Sequence, residues 1–228
     1  MALGVLVTIG PLMGAEARLV RDSERGLIRV REGIPERGRE RMAIAHELGH
    51  WELHGETSQV AVCVDDDIHG YSASVEELEA NAFACELLMP GKVVRERFGR
   101  AGVTLALVGR AATEMGTTLT STAVRLVDMS RDAHMVVFSE NGSVKWWRAS
   151  SGCPRLPLQR RQPLSSHSVA HWVAKGGPAS VRPEPVNPAA WFDHIPWHDR
   201  LEVYEESMRL GSYPTVMTIL SIADDREE

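Results

Sequence analysis

The start of the chain has the polarity pattern of β-strands. Residues 4–9 form a short apolar run, and residues 17–20 and 27–31 alternate in polarity on either side of the glycine-containing segment 22–26. Two alternating runs joined by such a segment predict a β-hairpin with one buried face. We therefore expect a small sheet whose first strand, residues 4–9, is buried by the helix that follows.

Two helices are predicted after these strands. The first covers residues 37–54, with Pro35 near its start and Gly55 beyond its end, where these residue types favour helix boundaries. The second covers residues 76–90 and is closed by its final proline. Its apolar residues recur at spacings of three and four, which places them in one buried stripe. The stripe consists of Ala80, Phe83, Ala84, Leu87 and Leu88.

The middle of the chain is predicted to be helical. Residues 92–132 indicate two or three short helices, the last near residues 119–129, with turns at Gly99 and Gly102. From residue 91 to residue 132 there are seven Lys/Arg and four Asp/Glu. This excess of positive charge is a weak signal for a nucleic-acid surface. We therefore favour helices that cover the preceding domain over helices that read DNA.

The carboxy-terminal part mixes strands, loops and a short helix. An Asn-Gly pair between two β-rich runs within residues 135–148 is the favoured turn of a tight hairpin. The proline-rich residues 150–200 predict mostly loop, interrupted by a short helix near residues 166–175. Regular structure then returns in residues 201–210, and residues 215–222 predict a buried strand.

The composition is that of an ordinary soluble globular protein. Of the residues, 43% are hydrophobic and 25% are charged. The length of 228 residues allows one large domain or two modest ones. The net charge of -6 argues against a basic surface over the whole protein, so direct nucleic-acid binding is not expected. The three cysteines lack a Cys-x-x-Cys spacing, indicate neither a disulfide framework nor a thiolate metal site, and fit a reducing cytosol. They are Cys63, Cys85 and Cys153.

The apolar start of the chain is interpreted as a strand rather than as a targeting segment. Residues 1–15 lack the positively charged region of a secretory signal and are too short to span a bilayer. No other segment of the sequence is long and apolar enough for membrane insertion. We expect a cytoplasmic protein without a membrane partner, and the sequence does not indicate its oligomeric state.

The first predicted helix contains the pattern His-Glu-x-x-His at residues 46–50. His46 and His50 are four residues apart and share one helix face, so both imidazoles can reach a single ion. In this pattern the histidines hold zinc and the glutamate, here Glu47, is the general base for the attacking water. Because the pattern also occurs by chance, a helix with two ordinary histidines is the alternative.

The second predicted helix supplies candidates for a third ligand, which catalytic zinc normally needs. Glu76 and Glu77 lie within roughly 60° of the centre of the buried stripe, whereas Glu79 lies about 105° away and is expected to be solvated. A carboxylate on a buried face is costly unless it is paired or bound to metal, so Glu76 or Glu77 is a credible ligand. Asn81, one turn after Glu77, is placed to orient a ligand.

His54 extends the histidine stripe of the first helix and competes for the role of third ligand. It lies about 12 Å from His46 along the helix axis, which is too far for one ion with metal–nitrogen bonds of about 2 Å. We expect it instead to cap the carbonyl groups at the end of the helix. Three other clusters are interpreted as structural or solvated rather than metal-binding: the acidic run 65–67 and the pairs His167/His171 and His194/His198.

The two helices together resemble the ImmA/IrrE family of metallo-endopeptidases. The resemblance covers Arg-Met-Ala-Ile-Ala-His-Glu-Leu-Gly-His at residues 41–50 and Glu-Leu-Glu-Ala-Asn-Ala-Phe-Ala-Cys-Glu-Leu-Leu-Met-Pro at residues 77–90. In that family the glutamate that opens Glu-x-x-Ala-Asn-x-Phe-Ala is the third zinc ligand, and the resemblance assigns this role to Glu77. Met42 and Ala43 replace residues that are often Phe and Thr, and neither takes part in the chemistry.

The resemblance implies an α+β fold in three parts. Residues 1–90 are expected to form a zincin-like metallopeptidase core with a small β-sheet and the His-Glu-x-x-His helix. Residues 91–132 are similar to the helix-turn-helix-like segment that follows the core in this family. Residues 133–228 are expected to form an α/β module, similar to the GAF-like sensory domain of longer members.

The resemblance also implies a function. It indicates a zinc-dependent endopeptidase that cleaves a helix-turn-helix transcriptional repressor and so derepresses genes in a stress, phage or mobile-element response. Zinc is the expected ion at His46, His50 and Glu77, and the same donor set also accepts manganese or another divalent ion. His134 and Tyr71 are open candidates for a second oxyanion donor. A catalytically silent, metal-stabilised interaction module and a direct DNA-binding regulator are the alternative functions.

Overall fold

The structure is a computed structural model that describes residues 3–22, 24–55, 74–192, 201–211 and 214–224. Those residues contain two β-sheets and six α-helices, so the predicted α+β class is confirmed. None of the helices within these ranges has the length and apolar character needed to cross a bilayer. The chain divides into two compact units, Met1–Gly91 with Ala112–Ser121, and Lys92–Ala111 with Thr122–Glu228. The predicted division into three domains stays a prediction.

The first unit contains a three-stranded sheet. Strands β2 (Ala17–Arg21) and β3 (Gly26–Arg31) form the predicted antiparallel hairpin. Strand β1 (Val5–Gly10) pairs in parallel with β3, which gives the strand order β1-β3-β2. Strand β3 is therefore the central strand, and its inward residues Ile28 and Val30 are fully buried.

The prediction that the first strand is buried by the following helix is wrong. Strand β1 is an edge strand, and its residues Leu6, Val7 and Ile9 are 51%, 41% and 61% exposed. Helix α1 (Arg37–Leu53) packs on β2 and β3 instead. An apolar run indicates that a segment forms a β-strand, but it does not give the position of that strand in the sheet. The strand order depends on pairing between segments that are distant in the chain.

Helix α2 (Val75–Leu88) packs directly against α1 in the first unit. The helices approach closely at Gly49, where a Cβ atom would lie 2.8 Å from the Cα atom of the fully buried Ala80. Ser74 caps the start of α2, and its Oγ accepts a hydrogen bond from the backbone N–H of Glu77. The cap fixes the first turn of the helix, which carries the candidate carboxylates.

Three short helices follow, as the polarity pattern predicts. They are α3 (Gly91–Phe98), α4 (Leu105–Met115) and α5 (Leu119–Met129). The last has the predicted bounds, and Gly99 lies in the turn after α3. The similarity of this segment to a helix-turn-helix stays a prediction.

The second unit contains an antiparallel sheet with the strand order β5-β4-β8-β7-β6. Its strands are β4 (His134–Glu140), β5 (Ser143–Ala149), β6 (Glu184–Val186), β7 (Leu201–Arg209) and β8 (Thr215–Asp224). The predicted hairpin joins β4 to β5, with φ values of 51° at Asn141 and 77° at Gly142. The predicted short helix is α6 (Val169–Ala174), and the predicted buried strand is β8. The GAF-like assignment stays a prediction.

A buried carboxylate, Glu205, joins α6 to this sheet. It accepts hydrogen bonds from the backbone N–H groups of Val169 and Ala170, from Trp191 Nε1 and from Ser207 Oγ, at 2.6 to 3.1 Å. Burial raises the pKa of Glu205, while these four hydrogen bonds act in the opposite direction. The carboxylate therefore supplies the acceptor for two backbone N–H groups at the start of α6 and for the buried Trp191 side chain.

We expect Glu205→Gln to destabilise the protein by about 3 kcal/mol, because the new amide N–H2 group faces donors rather than acceptors. Urea unfolding of the purified protein measures the change. Glu202→Gln is the matched control, since Glu202 lies on the same strand and is exposed. Equal stability of the two variants would contradict the role given to Glu205.

Candidate metal centre

The two histidines of the His-Glu-x-x-His pattern lie side by side on α1. His46 Nε2 and His50 Nε2 are 3.0 Å apart, and the residues are only 6% and 3% exposed. The four-residue spacing within one helix brings the rings together, as predicted. Both rings point their Nε2 atoms toward the same small volume.

Glu77 on α2 completes this cluster. Its Oε2 lies 3.1 Å from His46 Nε2, and its Oε1 lies 3.2 Å from His50 Nε2. The alternative, Glu76, is exposed, and a hydrogen bond with Ser74 holds the pKa of its carboxyl below the ordinary value. The structure therefore brings Glu77, and not Glu76, to the histidines.

The three side chains fit a divalent metal ion. Their ligand atoms all lie within 4.8 Å of one another. In a tetrahedral zinc site with bonds of about 2.0–2.1 Å, neighbouring ligand atoms are about 3.3 Å apart, and the separations here are 3.0 to 3.2 Å. Two imidazole nitrogens and one carboxylate form the donor set of zinc sites that keep one position open.

The charges around the cluster differ between the two rings. Burial acts to lower the pKa of His46, but the Glu77 carboxylate, with smaller contributions from Glu47 and Asn81, outweighs burial and raises it. Burial, followed by the proximity of His46, lowers the pKa of His50. Because a metal ion needs the lone pair of each Nε2 atom, metal binding at this cluster would compete with protonation of the rings.

Asn81 lies where the sequence predicts it, one turn after Glu77. Its Oδ1 is 2.9 Å from His46 Nδ1. An amide oxygen only accepts hydrogen bonds, so Nδ1 of His46 is the donor in this contact. In the neutral ring the Nε2 atom then carries the lone pair that a metal ion needs.

His54 is the C-cap residue of α1, as predicted, but its backbone N–H and not its ring makes the cap, by donating to the carbonyl oxygen of His50. The ring instead contacts His50 Nδ1 and Glu79 Oε2, both at 3.0 Å. The carbonyl groups at the end of α1 accept hydrogen bonds from Arg21 of strand β2, whose guanidinium group reaches the backbone oxygens of His50, Trp51 and His54. A planar guanidinium group contacts several acceptors at once, which one imidazole nitrogen does not.

We expect Arg21→Ala to lower the free energy of unfolding by about 2 kcal/mol, because it removes three hydrogen bonds from a charged donor to the end of α1. Urea unfolding measures the loss. Arg25→Ala, in the exposed hairpin loop, is the control and should leave stability unchanged. A loss of the same size in both variants would mean that net charge, and not the end of the helix, is responsible.

Glu47 is almost completely buried beside the cluster, at 2% exposure. Its Oε2 accepts a hydrogen bond of 2.9 Å from the backbone N–H of Leu19 in strand β2. The edge strand of the hairpin thus fixes this carboxylate relative to the two histidines. The contact of Glu47 with Leu19 and the contact of Arg21 with α1 are not visible in the sequence, because each joins segments about 30 residues apart.

The candidates for a second oxyanion donor gain no support. His134 belongs to the second unit, where its Nε2 accepts a hydrogen bond from the backbone N–H of Val103 and its Nδ1 contacts Ser130 Oγ. A ring nitrogen that accepts this hydrogen bond is not a donor to an oxyanion. Tyr71, the acidic run 65–67, the pair His194/His198 and Cys63 lie outside the described residues.

The close approach of α1 and α2 leads to a prediction for Gly49. Gly→Ala in an exposed helix interior gains about 1 kcal/mol, whereas overpacking a buried contact costs about 3 kcal/mol. Because the new Cβ would lie 2.8 Å from Ala80 Cα, we expect Gly49→Ala to be destabilising and to weaken the binding of a metal ion at the cluster. Urea unfolding and zinc titration measure the two effects.

Gly109→Ala is the matched control for this experiment. Gly109 also lies inside a helix, α4, but nothing lies within 4 Å of the position of its Cβ. This variant should therefore gain stability and bind a metal ion at the cluster as tightly as the wild type does. If Gly49→Ala behaved in the same way, the close contact between α1 and α2 would not be required for the cluster.

Comparison with known proteins supports the resemblance of the α1 and α2 sequences to the ImmA/IrrE family. No curated protein matches the sequence. A family model, Peptidase_M78, described as the IrrE N-terminal-like domain, matches residues 1–127, which is more than half of the chain. The match includes both helices of the cluster. The chain therefore belongs to the IrrE N-terminal-like family of ImmA/IrrE metallopeptidases.

Proposed function

We propose that this protein is a zinc-dependent endopeptidase in which His46, His50 and Glu77 hold the metal ion and Glu47 is the general base. The observation that carries the proposal is the convergence of the three ligand atoms next to a buried carboxylate. Membership of a metallopeptidase family supports it. A set of ligands together with a general base has no use in a protein that only binds a partner.

The chemistry divides between the ion and the side chains. A bound zinc ion supplies Lewis acidity, which makes water more acidic and polarises the carbonyl group of the scissile peptide bond. His46, His50 and Glu77 hold the ion, and Asn81 keeps the His46 ring in the orientation that presents Nε2. As the water oxygen forms its bond to the carbonyl carbon and the C–N bond breaks, the other contribution of the protein is to transfer protons.

Glu47 performs those proton transfers. Its carboxylate takes a proton from the water that attacks the peptide carbonyl, and it then gives the proton to the departing amine. The N–H of Leu19 holds Oε2, which limits rotation of the carboxylate between the two steps. No net proton is gained or lost by the protein over the cycle.

The proposed substrate is a helix-turn-helix transcriptional repressor, whose cleavage would derepress genes in a stress, phage or mobile-element response. The resemblance of residues 41–50 and 77–90 to the ImmA/IrrE family supports this substrate. A protein substrate also agrees with membership of a peptidase family. A repressor encoded beside this gene is the first candidate.

The experiment combines metal analysis with a cleavage assay. The purified full-length chain is analysed for metal and then incubated with that repressor, and the products are identified by mass spectrometry. We expect about one zinc ion per chain and a single cleavage site, with activity lost to a chelator and restored by zinc. If the purified chain contained no metal, His46 and His50 would be ordinary helix residues. If it contained metal but cleaved no repressor, the result would favour a metal-stabilised interaction module.

A further inference from the structure

A line of three side chains leads from the metal cluster to the surface of the protein. His50 Nδ1 is 3.0 Å from His54 Nδ1, and His54 Nε2 is 3.0 Å from Glu79 Oε2. The side chains of His50, His54 and Glu79 are 3%, 9% and 56% exposed, so exposure rises along the line. His50 lies in α1 and His54 is the C-cap residue directly after that helix, while Glu79 lies in α2.

The direction of each hydrogen bond in this line follows from the chemistry of the rings. A His50 ring that offers its Nε2 lone pair to a metal ion carries its proton on Nδ1, which is then the donor to His54. His54 Nδ1 must accept, so the neutral His54 ring carries its proton on Nε2. That N–H donates to the Glu79 carboxylate, which only accepts. One set of proton positions therefore satisfies the whole line.

We propose that His54 and Glu79 are positioning residues that hold the His50 ring in the tautomer and orientation required for metal binding. We call this line of contacts the His54–Glu79 relay. The inference rests on the proposed function, because it assumes that His50 is a metal ligand. The carboxylate at the outer end polarises the His54 ring, and through it the relay makes His50 a stronger electron donor.

The two histidine ligands are thus supported in different ways. The Nδ1 atom of His46 is held by the neutral amide of Asn81, while the Nδ1 atom of His50 is held by an imidazole that a carboxylate orients. Each arrangement leaves Nε2 as the metal-binding atom. The relay therefore gives Glu79 a role near the site even though it is not among the three clustered ligands.

A purely structural role for these contacts has less support. The guanidinium group of Arg21 and the backbone N–H of His54 already contact the carbonyl groups at the end of α1, so the His54 ring is not needed there. Because the Glu79 side chain is more than half exposed, its hydrogen bond with His54 contributes little to stability. The contacts are accounted for by what they do to His50.

The test measures zinc affinity in the full-length chain by competition with a chromophoric chelator. His54→Phe keeps an aromatic ring but removes both nitrogens, and Glu79→Ala removes the carboxylate. We expect zinc affinity to fall about 10- to 100-fold in His54→Phe and about 10-fold in Glu79→Ala. His54→Gln and Glu79→Gln retain an accepting oxygen and should recover most of the loss.

Two controls distinguish the relay from a general effect of surface charge and from a loss of stability. Glu52→Ala removes an exposed carboxylate from the same helix and should leave zinc affinity unchanged. Thermal unfolding of every variant with excess chelator reports stability without metal, and we expect His54→Phe and Glu79→Ala to unfold at the wild-type temperature. A fall in affinity matched by a fall in metal-free stability would overturn the relay in favour of a structural role.

The outcome also distinguishes the relay from the proposed function. Wild-type zinc affinity in both His54→Phe and Glu79→Ala would overturn the relay and leave the metal centre intact. If the wild-type chain bound no zinc, the proposed function would fail first, and the relay with it. Weaker binding in both variants, recovery in the two glutamine variants and unchanged metal-free stability would establish the relay.

Discussion

Replacing Glu47 with glutamine is expected to abolish peptide-bond hydrolysis while the protein keeps its metal ion. Glutamine has nearly the same shape, and its amide oxygen still accepts a hydrogen bond from the N–H of Leu19. The amide does not take up a proton at neutral pH, so both proton transfers are lost. General-base catalysis raises a reaction rate by about 10²- to 10⁴-fold. Because the variant loses both proton transfers, we expect its hydrolysis rate to fall by the upper end of that range or more.

The measurement is the rate of repressor cleavage at saturating enzyme, with metal content determined on the same samples. Glu52→Gln on the same helix is the control, because Glu52 is exposed and should have wild-type activity. Cleavage at the wild-type rate by Glu47→Gln would remove the general-base role from Glu47. Loss of metal from this variant would instead indicate that Glu47 supports the ligands.

Replacing Glu77 with alanine is expected to release the metal ion. The carboxylate contacts both histidines. Without it, only two of the three ligands remain, and both are imidazoles. The wild-type chain should retain about one zinc ion after dialysis against a moderate chelator, and Glu77→Ala should retain almost none. Cleavage of the repressor should disappear together with the metal.

Glu76→Ala is the control for this experiment, since Glu76 precedes Glu77 on the same helix turn and is exposed. It should retain zinc and activity. The opposite result, with metal lost from Glu76→Ala and kept by Glu77→Ala, would move the third ligand to Glu76. If both variants kept the metal ion, the third ligand would be neither Glu76 nor Glu77.

Much of the local structure follows from polarity patterns. The hairpin turn at Asn141 and Gly142 and the helix Leu119–Met129 depend on residues close together in the chain, and the sequence predicts both. It does not predict the position of strand β1, because the order of a sheet depends on which distant strands pair. The three-residue strand Glu184–Val186 lies in a proline-rich stretch whose local pattern indicates loop.

The same limit applies to the candidate metal centre. The spacing of His46 and His50 predicts their contact, because one helix fixes it. The apolar periodicity of α2 places Glu76 and Glu77 equally close to its buried face. Only the packing of α2 against α1 determines which of the two carboxylates faces the histidines. The contact between His54 and Glu79 depends on the same packing, so the pattern of α2 alone indicates only that Glu79 is exposed.

The three candidate ligands come from two different helices, α1 and α2, so a bound ion cross-links them. An ion that binds the folded chain and not the unfolded chain adds to stability by mass action, by about 2.7 kcal/mol at a free concentration one hundred times the dissociation constant. For the proposed zinc ion, the melting temperature of the protein would follow the supply of free zinc. A cell short of zinc would hold less folded peptidase as well as less active peptidase, which couples the lifetime of the enzyme to metal nutrition.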